Sequence, residues 1–189
     1  RFLHFRARHG AVAGEGFAGL RLNVRCAIYR SHMAAQLIVR LAQMDDLQSL
    51  MSLAERYCAA DNALWDPARA ERGFVPLLND THHGIVLLTA VDSEIVGYAV
   101  LTWGWSIEAG GREALLDEMY VDRPGRGYGS ALIEAVIDAA AAAGASRVFL
   151  ETESSNVSAR LFWLQHGFHL EDSIWLQRSC TPGKARVTV

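Results

Sequence analysis

One stretch narrows the fold of this chain more than any other: Asp117–Leu132, DEMYVDRPGRGYGSAL. A β-type run ends in Gly125-Arg126-Gly127-Tyr128-Gly129, and a helical pattern begins at once. Glycine lets the backbone approach a ligand closely, and the first turn of a helix carries unpaired N–H groups at the positive end of its dipole. The combination is an anion cradle suited to a pyrophosphate, and Arg126 adds a charge beside it. Alone, a strand, a glycine loop and a helix fit a dinucleotide, a nucleoside triphosphate, coenzyme A or a plain tight turn. The Walker pattern is absent, since no Lys-Ser/Thr follows Gly129. The G-x-G-x-x-G pattern also fails, because after Gly127 and Gly129 the next required glycine falls on Leu132.

The elements around this loop alternate. Ala35–Ala42 reads as a strand. Asp45 or Asp46 can cap a helix in which Leu47, Leu50, Met51, Ala54 and Cys58 recur at helical spacing. Asp66-Pro67 is a second start signal, an N-cap followed by proline at the first helical position, for a helix running to about Leu78. Gly84–Val91 and Ile95–Trp105 are β-rich runs joined through Asp92-Ser93-Glu94, which predicts a hairpin. Ala114–Val121 is the strand that feeds the glycine loop. The helix after it presents Leu132, Ile133, Val136, Ile137 and Ala140 on one face and stops at Gly144. Arg147–Thr152 reads as a strand, Val157–His166 as a helix and Phe168–Gln177 as two short strands. No internal repeat and no linker divides the series.

The chain has 189 residues, enough for one domain with a substantial core. Its net charge of −3 is unevenly spread. Residues 1–32 hold six arginines against Glu15, a net of +5, which leaves twelve basic and twenty acidic residues in 33–189, a net of −8. An acidic body disfavours a nucleic-acid partner and attracts cations such as amines. The apolar stretch Ala135–Ala145 is too short, and with Asp138 too polar, to cross a bilayer. Cys26, Cys58 and Cys180 form neither a C-x-x-C pair nor a disulfide framework, so a reducing cytoplasm is the expected setting. His82 and His83 lack further ligands at metal-binding spacing, and no metal is expected. Residues 1–32, arginine-rich and with four glycines, are expected to be a poorly ordered extension, and 33–189 the folded domain.

About 27 residues beyond the loop stand Asn156, Ala159, Phe162-Trp163 and Gly167-Phe168. Together with Gly127 and Gly129 this resembles the GNAT superfamily of acyl-CoA-dependent N-acyltransferases, across residues 37–170. Gly127 and Gly129 fill the small positions of that family's Q/R-x-x-G-x-G/A motif. The later residues are similar to its N-x-x-A…(F/L)-Y…G-F signature, and EIVGYAVL of Glu94–Leu101 to its third strand. The resemblance implies an α/β (α+β) fold, with a mixed, mostly antiparallel sheet of about seven strands flanked by helices.

The resemblance also implies roles. The backbone from Met119 through Tyr120 to Val121 would pair with the pantetheine arm of acetyl-CoA as another strand does. The loop Gly125, Arg126, Gly127, Tyr128, Gly129 and Ser130 would hold the pyrophosphate through its amides. Asn156 would hydrogen-bond the pantetheine, and the helix with Ala159 and Phe162 would flank the thioester. An amine then attacks the acetyl carbonyl directly, and an acidic residue takes the ammonium proton. Two positions depart from the pattern. Pro124 stands at the Q/R position and has no N–H, so Arg123 and Gly125 are candidates to replace the lost contacts. Trp163 stands where many members carry a tyrosine that protonates the leaving thiolate, and tryptophan cannot do this.

For the general base, Asp117 and Glu118 precede the cofactor strand much as the acidic pair does in spermidine/spermine-type acetyltransferases. Neighbours on a regular strand point to opposite faces, so only one should reach a given cleft, and Glu118 is favoured. Trp65, Trp105 and Glu108 are candidate acceptor-binding residues, with Tyr57 and Trp103 as further aromatics, because the family shapes its acceptor site from the first two helices and the loop before the cofactor strand. His166 and His169 read as surface residues. The expected function is acetyl transfer from acetyl-CoA to a primary amine of a small, cationic molecule. A protein or peptide acceptor, or a non-catalytic acyl-CoA-binding module, is the alternative. The family often pairs its members, which leaves a homodimer open.

Overall fold

The computed structural model describes residues 36–178, together with the backbone of His4–Arg6 and Ala27–Tyr29. In chain order the elements are β1 (His4–Arg6), β2 (Ala27–Tyr29), β3 (Leu37–Leu41), α1 (Leu47–Ala60), α2 (Pro67–Asn79), β4 (Gly84–Val91), β5 (Glu94–Ser106), β6 (Gly111–Val121), α3 (Tyr128–Ala142), β7 (Val148–Phe149) and α4 (Val157–Gln165). The boundary expected at residue 33 lies outside the described residues.

Among the described residues the sheet has seven strands in the order β1-β6-β5-β4-β3-β2, with β7 also on β6. Five of them come from residues 37–149, and two three-residue strands come from the N-terminal segment. All pairings are antiparallel except β6 with β7. This is the expected mixed, mostly antiparallel α+β architecture. One edge of β6 belongs to β5 along its length. The other edge meets β7 at Ala114–Leu115 and β1 at Glu118–Tyr120.

Helices cover both faces. On one face α1 and α2 bury Leu50, Leu53, Tyr57 and Phe74 against Val86, Leu88, Tyr98 and Val100. On the other, α3 and α4 bury Leu132, Val136, Ala140 and Trp163 against Leu87, Leu101 and Leu116. β4 lies under both layers and is buried along all eight residues, which is why GIVLLTAV is apolar throughout instead of alternating. The β4–β5 turn places Asp92 and Ser93 both at positive φ (47° and 73°), the twist a tight hairpin needs.

Several expectations need correction. Neither Asp45 nor Asp46 caps α1 through its side chain. Asp46 does occupy the N-cap, but its carboxylate accepts the Gln43 N–H (2.8 Å) and both Arg40 guanidinium nitrogens (2.7 Å each). The strand expected at Arg147–Thr152 contracts to two residues. No strand forms over Phe168–Gln177. Its apolar residues Leu170, Ile174 and Leu176 face outward, and Trp175 stacks on Phe149 at 6.0 Å between ring centroids. Alternating β-formers make a strand only where a neighbouring edge supplies partners, and β7 pairs too little of its length to extend the sheet.

Candidate active site

The helical layer of α1 and α2 stands over the middle of β5 and β6 and walls a half-open cavity of about 720 Å³. Its walls are apolar and aromatic where the helices meet, with Tyr57, Trp65 and Phe74, and acidic where β6 crosses the floor, with Asp117 and Glu118. Asp66 and Arg69 stand at its rim. Asp66 is the N-cap of α2, as the Asp-Pro signal predicts, and accepts the Arg69 N–H at 3.0 Å.

Both carboxylates line the same space, contrary to the expectation from a regular strand. The cause is a β-bulge. Val100 pairs with Glu118 but Leu101 pairs with Leu116, so Asp117 is an extra residue in β6. An inserted residue breaks the alternation and turns two consecutive side chains towards one face. The rest of the strand shows the same shift. Ala114 and Leu116 belong to the α3-side core before the bulge, and Met119 and Val121 belong to it afterwards.

Behind the cavity lies Tyr98. Its side chain is fully buried, and its phenol donates to Glu118 Oε1. Burial, followed by the negative charge of Glu118, pushes the phenol well above its usual range, so it remains a protonated donor. Tyr120, the next residue on this face, is pushed up to about 12 by burial and by Asp122, to which it donates at 3.2 Å. Arg56 of α1 holds the other Asp122 oxygen at 2.8 Å, which ties the helical layer to the end of β6.

The glycine loop begins immediately after. The bulge also decides which backbone groups reach the outer edge of β6. Asp122 N–H donates to Val96 on β5 (2.8 Å), so alternation directs the groups of Tyr120 inward and those of Met119 and Val121 outward. Ala114 N–H already points outward, to Arg147 O on the β7 side (3.0 Å). At the outer edge, Met119 is paired with Phe5 of β1. Residues 123–127 are exposed, with Gly125 and Gly127 at φ +79° and +81°, backbone that any other residue adopts only under strain. Gly127 is the N-cap of α3, and the first turn of α3 contains no acidic side chain to oppose an anion. The loop therefore fits a pyrophosphate, with outward amides, an exposed Arg126 and no Cβ over the two glycines. Arg123, a candidate to replace the contacts missing at Pro124, is ion-paired with Glu94 at the β4–β5 turn, and its guanidinium holds that carboxyl below the usual range.

On the far side, Asn156 Oδ1 accepts the Ala159 N–H at 3.1 Å and caps α4. Phe162 is half-buried beside Trp163, which is a core residue packed edge-on against Phe162 and Phe168. His166, expected at the surface, is half-buried and joins the two helices that flank the cradle. Its Nδ1 donates to Phe162 O (2.8 Å), and in that tautomer Nε2 accepts from Ser130 Oγ (3.0 Å). No local spacing marks this role, because Ser130 lies 36 residues away.

The remaining candidates lie apart from the cavity. Trp105 is 70% exposed. Glu108 sits in the exposed β5–β6 turn, 3.9 Å from Arg147. Trp103 donates its indole N–H to Thr81 O (2.9 Å) beneath Arg112. Among the described residues, no cluster of three or more His, Cys, Asp or Glu could hold a metal, and no helix is long and apolar enough to cross a membrane.

A family model, described as the acetyltransferase (GNAT) family, matches residues 45–168, a span that runs from the start of α1 to the end of α4. The chain belongs to the GNAT family. Among solved structures, it is similar to an integron cassette protein from the mobile metagenome of Cole Harbour Salt Marsh, with 27% identity and a TM-score of 0.68 over 77% of this chain and 91% of that one. It is also similar to the ribosomal-protein-alanine N-acetyltransferase of Brucella melitensis biovar Abortus 2308 (24%, TM-score 0.62, 76% and 99% covered). A third is the aminoglycoside N-acetyltransferase AAC(6')-Iy, solved in complex with CoA (16%, TM-score 0.66, 80% and 100% covered). The last two likenesses bear on the GNAT fold alone. No curated protein matches the chain by sequence.

Proposed function

We propose that this GNAT protein is an N-acetyltransferase that moves the acetyl group of acetyl-CoA to a primary amine of a small, cationic molecule in a reducing cytoplasm. One observation carries the reading: a cavity walled by α1 and α2 has two carboxylates on the same strand that runs on into the exposed glycine cradle. The cavity is half-open to solvent, and its acidic floor with aromatic walls suits an ammonium group. The names of two neighbours, the aminoglycoside and the ribosomal-protein acetyltransferase, mark the two acceptor classes to compare.

Acetyl-CoA supplies the activated acetyl thioester, which the amine attacks directly. Gly125 to Ser130 hold the pyrophosphate through their amides and Arg126. The outward backbone of Met119 and Val121 takes the pantetheine arm. Because Phe5 of β1 pairs with Met119 at that edge, the arm and β1 are alternative occupants of one set of hydrogen-bonding groups. Asn156 and the α4 residues Ala159 and Phe162 close the opposite side. Glu118, with Asp117 beside it, receives the ammonium proton. Trp163 is enclosed by aromatic rings and donates no proton to the thiolate, which leaves unassisted; a thiol of about cysteine acidity, near 8.5, permits this. The test is amine-dependent thiol release with polyamines, aminoglycosides and amino-acid derivatives. Release that requires an amine, and that Glu118→Gln abolishes, supports the reading. Binding of coenzyme A without turnover on any amine or peptide would favour a non-catalytic binding module.

A further inference from the structure

The carboxylate that floors the cavity is itself held from behind. Tyr98 lies on β5 directly across from Tyr120, two pairs along from Val100 and Glu118, so the side chains of Tyr98 and Glu118 share a face of the sheet. Its ring is fixed edge-on to Phe74 (6.0 Å, 79°) and tilted against Tyr120 (6.3 Å, 49°), which leaves it no second orientation in a close-packed layer. A phenylalanine would fill the same volume. The hydroxyl is the added group, and it donates to Glu118 Oε1.

We propose that Tyr98 is a positioning residue for the reaction: its buried phenol holds Glu118 as an oriented, ionised carboxylate facing the acceptor amine. This rests on Glu118 being the base. A hydrogen bond donated to a carboxylate is stronger than one donated to the neutral acid, so the contact favours the form that can receive a proton. It also removes rotamer freedom from a side chain that must meet the acceptor in one geometry. The other titratable and charged groups around Glu118 include Tyr57 and Cys58 on α1, Asp66 and Arg69 at the start of α2, Asp117 and Tyr120 on β6, and Arg6, which pairs with Glu118 in the β1–β6 register. Tyr57 is buried as completely as Tyr98, whose hydroxyl donates to Glu118 Oε1.

Tyr98→Phe tests the proposal in the full chain. The expected result is a kcat about tenfold lower, with the acceptor KM and the coenzyme A Kd within about twofold of wild type. The acidic limb of the kcat/KM profile should move to higher pH by about one unit, because the ionised carboxylate loses a donor. A second measurement needs no turnover. In the protein without acetyl-CoA, proton NMR should show a downfield hydroxyl resonance that disappears in Tyr98→Phe and moves upfield in Glu118→Gln. An unchanged kcat and pH limb in Tyr98→Phe would overturn the proposal, as would a hydroxyl resonance that Glu118→Gln leaves in place. If Glu118→Gln itself kept wild-type turnover, the base assignment would fall first, independently of Tyr98.

Discussion

Asp117 and Glu118 are consecutive residues of β6, yet both carboxylates line one cavity, because Asp117 is the extra residue of a bulge opposite Val100 and Leu101. In the proposed reaction they would divide the work of binding a cation and receiving its proton. Glu118→Gln should lower kcat by about a hundredfold or more, the usual size of a general-base contribution. Asp117→Asn should raise the acceptor KM more than it lowers kcat. Coenzyme A affinity should be unaffected by either, as read by calorimetry. Wild-type kcat in both variants would show that neither residue is the base.

Gly127 caps α3 at φ +81°, and a Cβ there would meet no atom within 4 Å. Gly127→Ala is therefore strained but not crowded. It should cost about 1–2 kcal/mol of stability, the penalty of left-handed backbone for a residue with a Cβ. Coenzyme A should bind more weakly, because relief of that strain would turn the first amides of α3 away from the cradle. Denaturant unfolding and calorimetry measure the two effects separately.

Asp46 sets part of the acid stability. The hydrogen bond from Arg40, helped by the Gln43 N–H, holds its carboxyl below the usual range. A carboxyl group depressed in the folded state contributes its full stability above the unfolded value of about 3.9 and loses it as pH falls through the folded value. Unfolding free energy should thus fall more steeply with acid below about pH 4 in the wild type than in Asp46→Asn. At neutral pH the substitution should cost about 2 kcal/mol, the scale of a hydrogen bond to a charged group. Parallel curves for the two proteins would contradict this.

Trp163 is a core residue, 4% exposed and packed against Phe162 and Phe168. Trp163→Phe should lower stability by about 1–3 kcal/mol through the cavity it leaves. If the thiolate leaves unassisted, kcat should stay within about twofold. A large fall in kcat without loss of stability would assign Trp163 a part in the chemistry.

The features legible in the sequence are those set by neighbouring residues. Asp66-Pro67 starts α2, Asn156 caps α4, and the closely spaced glycines bend the chain into α3, each through contacts within a few positions. Features that depend on distant partners were hidden. The bulge at Asp117 exists only relative to β5, so strict alternation separates two carboxylates that the sheet brings together. His166 acquires its place from Ser130 across the gap between α3 and α4. Phe168–Gln177 has strand-like residues but no edge to join. Trp105 and Glu108 are near the cavity in sequence, but β5 and β6 extend past it and carry both residues out to the exposed turn.

The most direct test is calorimetric titration of acetyl-CoA into the purified chain, with coenzyme A and ATP as comparisons. Saturable binding of acetyl-CoA and coenzyme A, but not ATP, is predicted, and it should weaken in Gly127→Ala. A folded protein that binds neither thioester nor thiol would contradict the account, because the glycine cradle would then be a turn and nothing more.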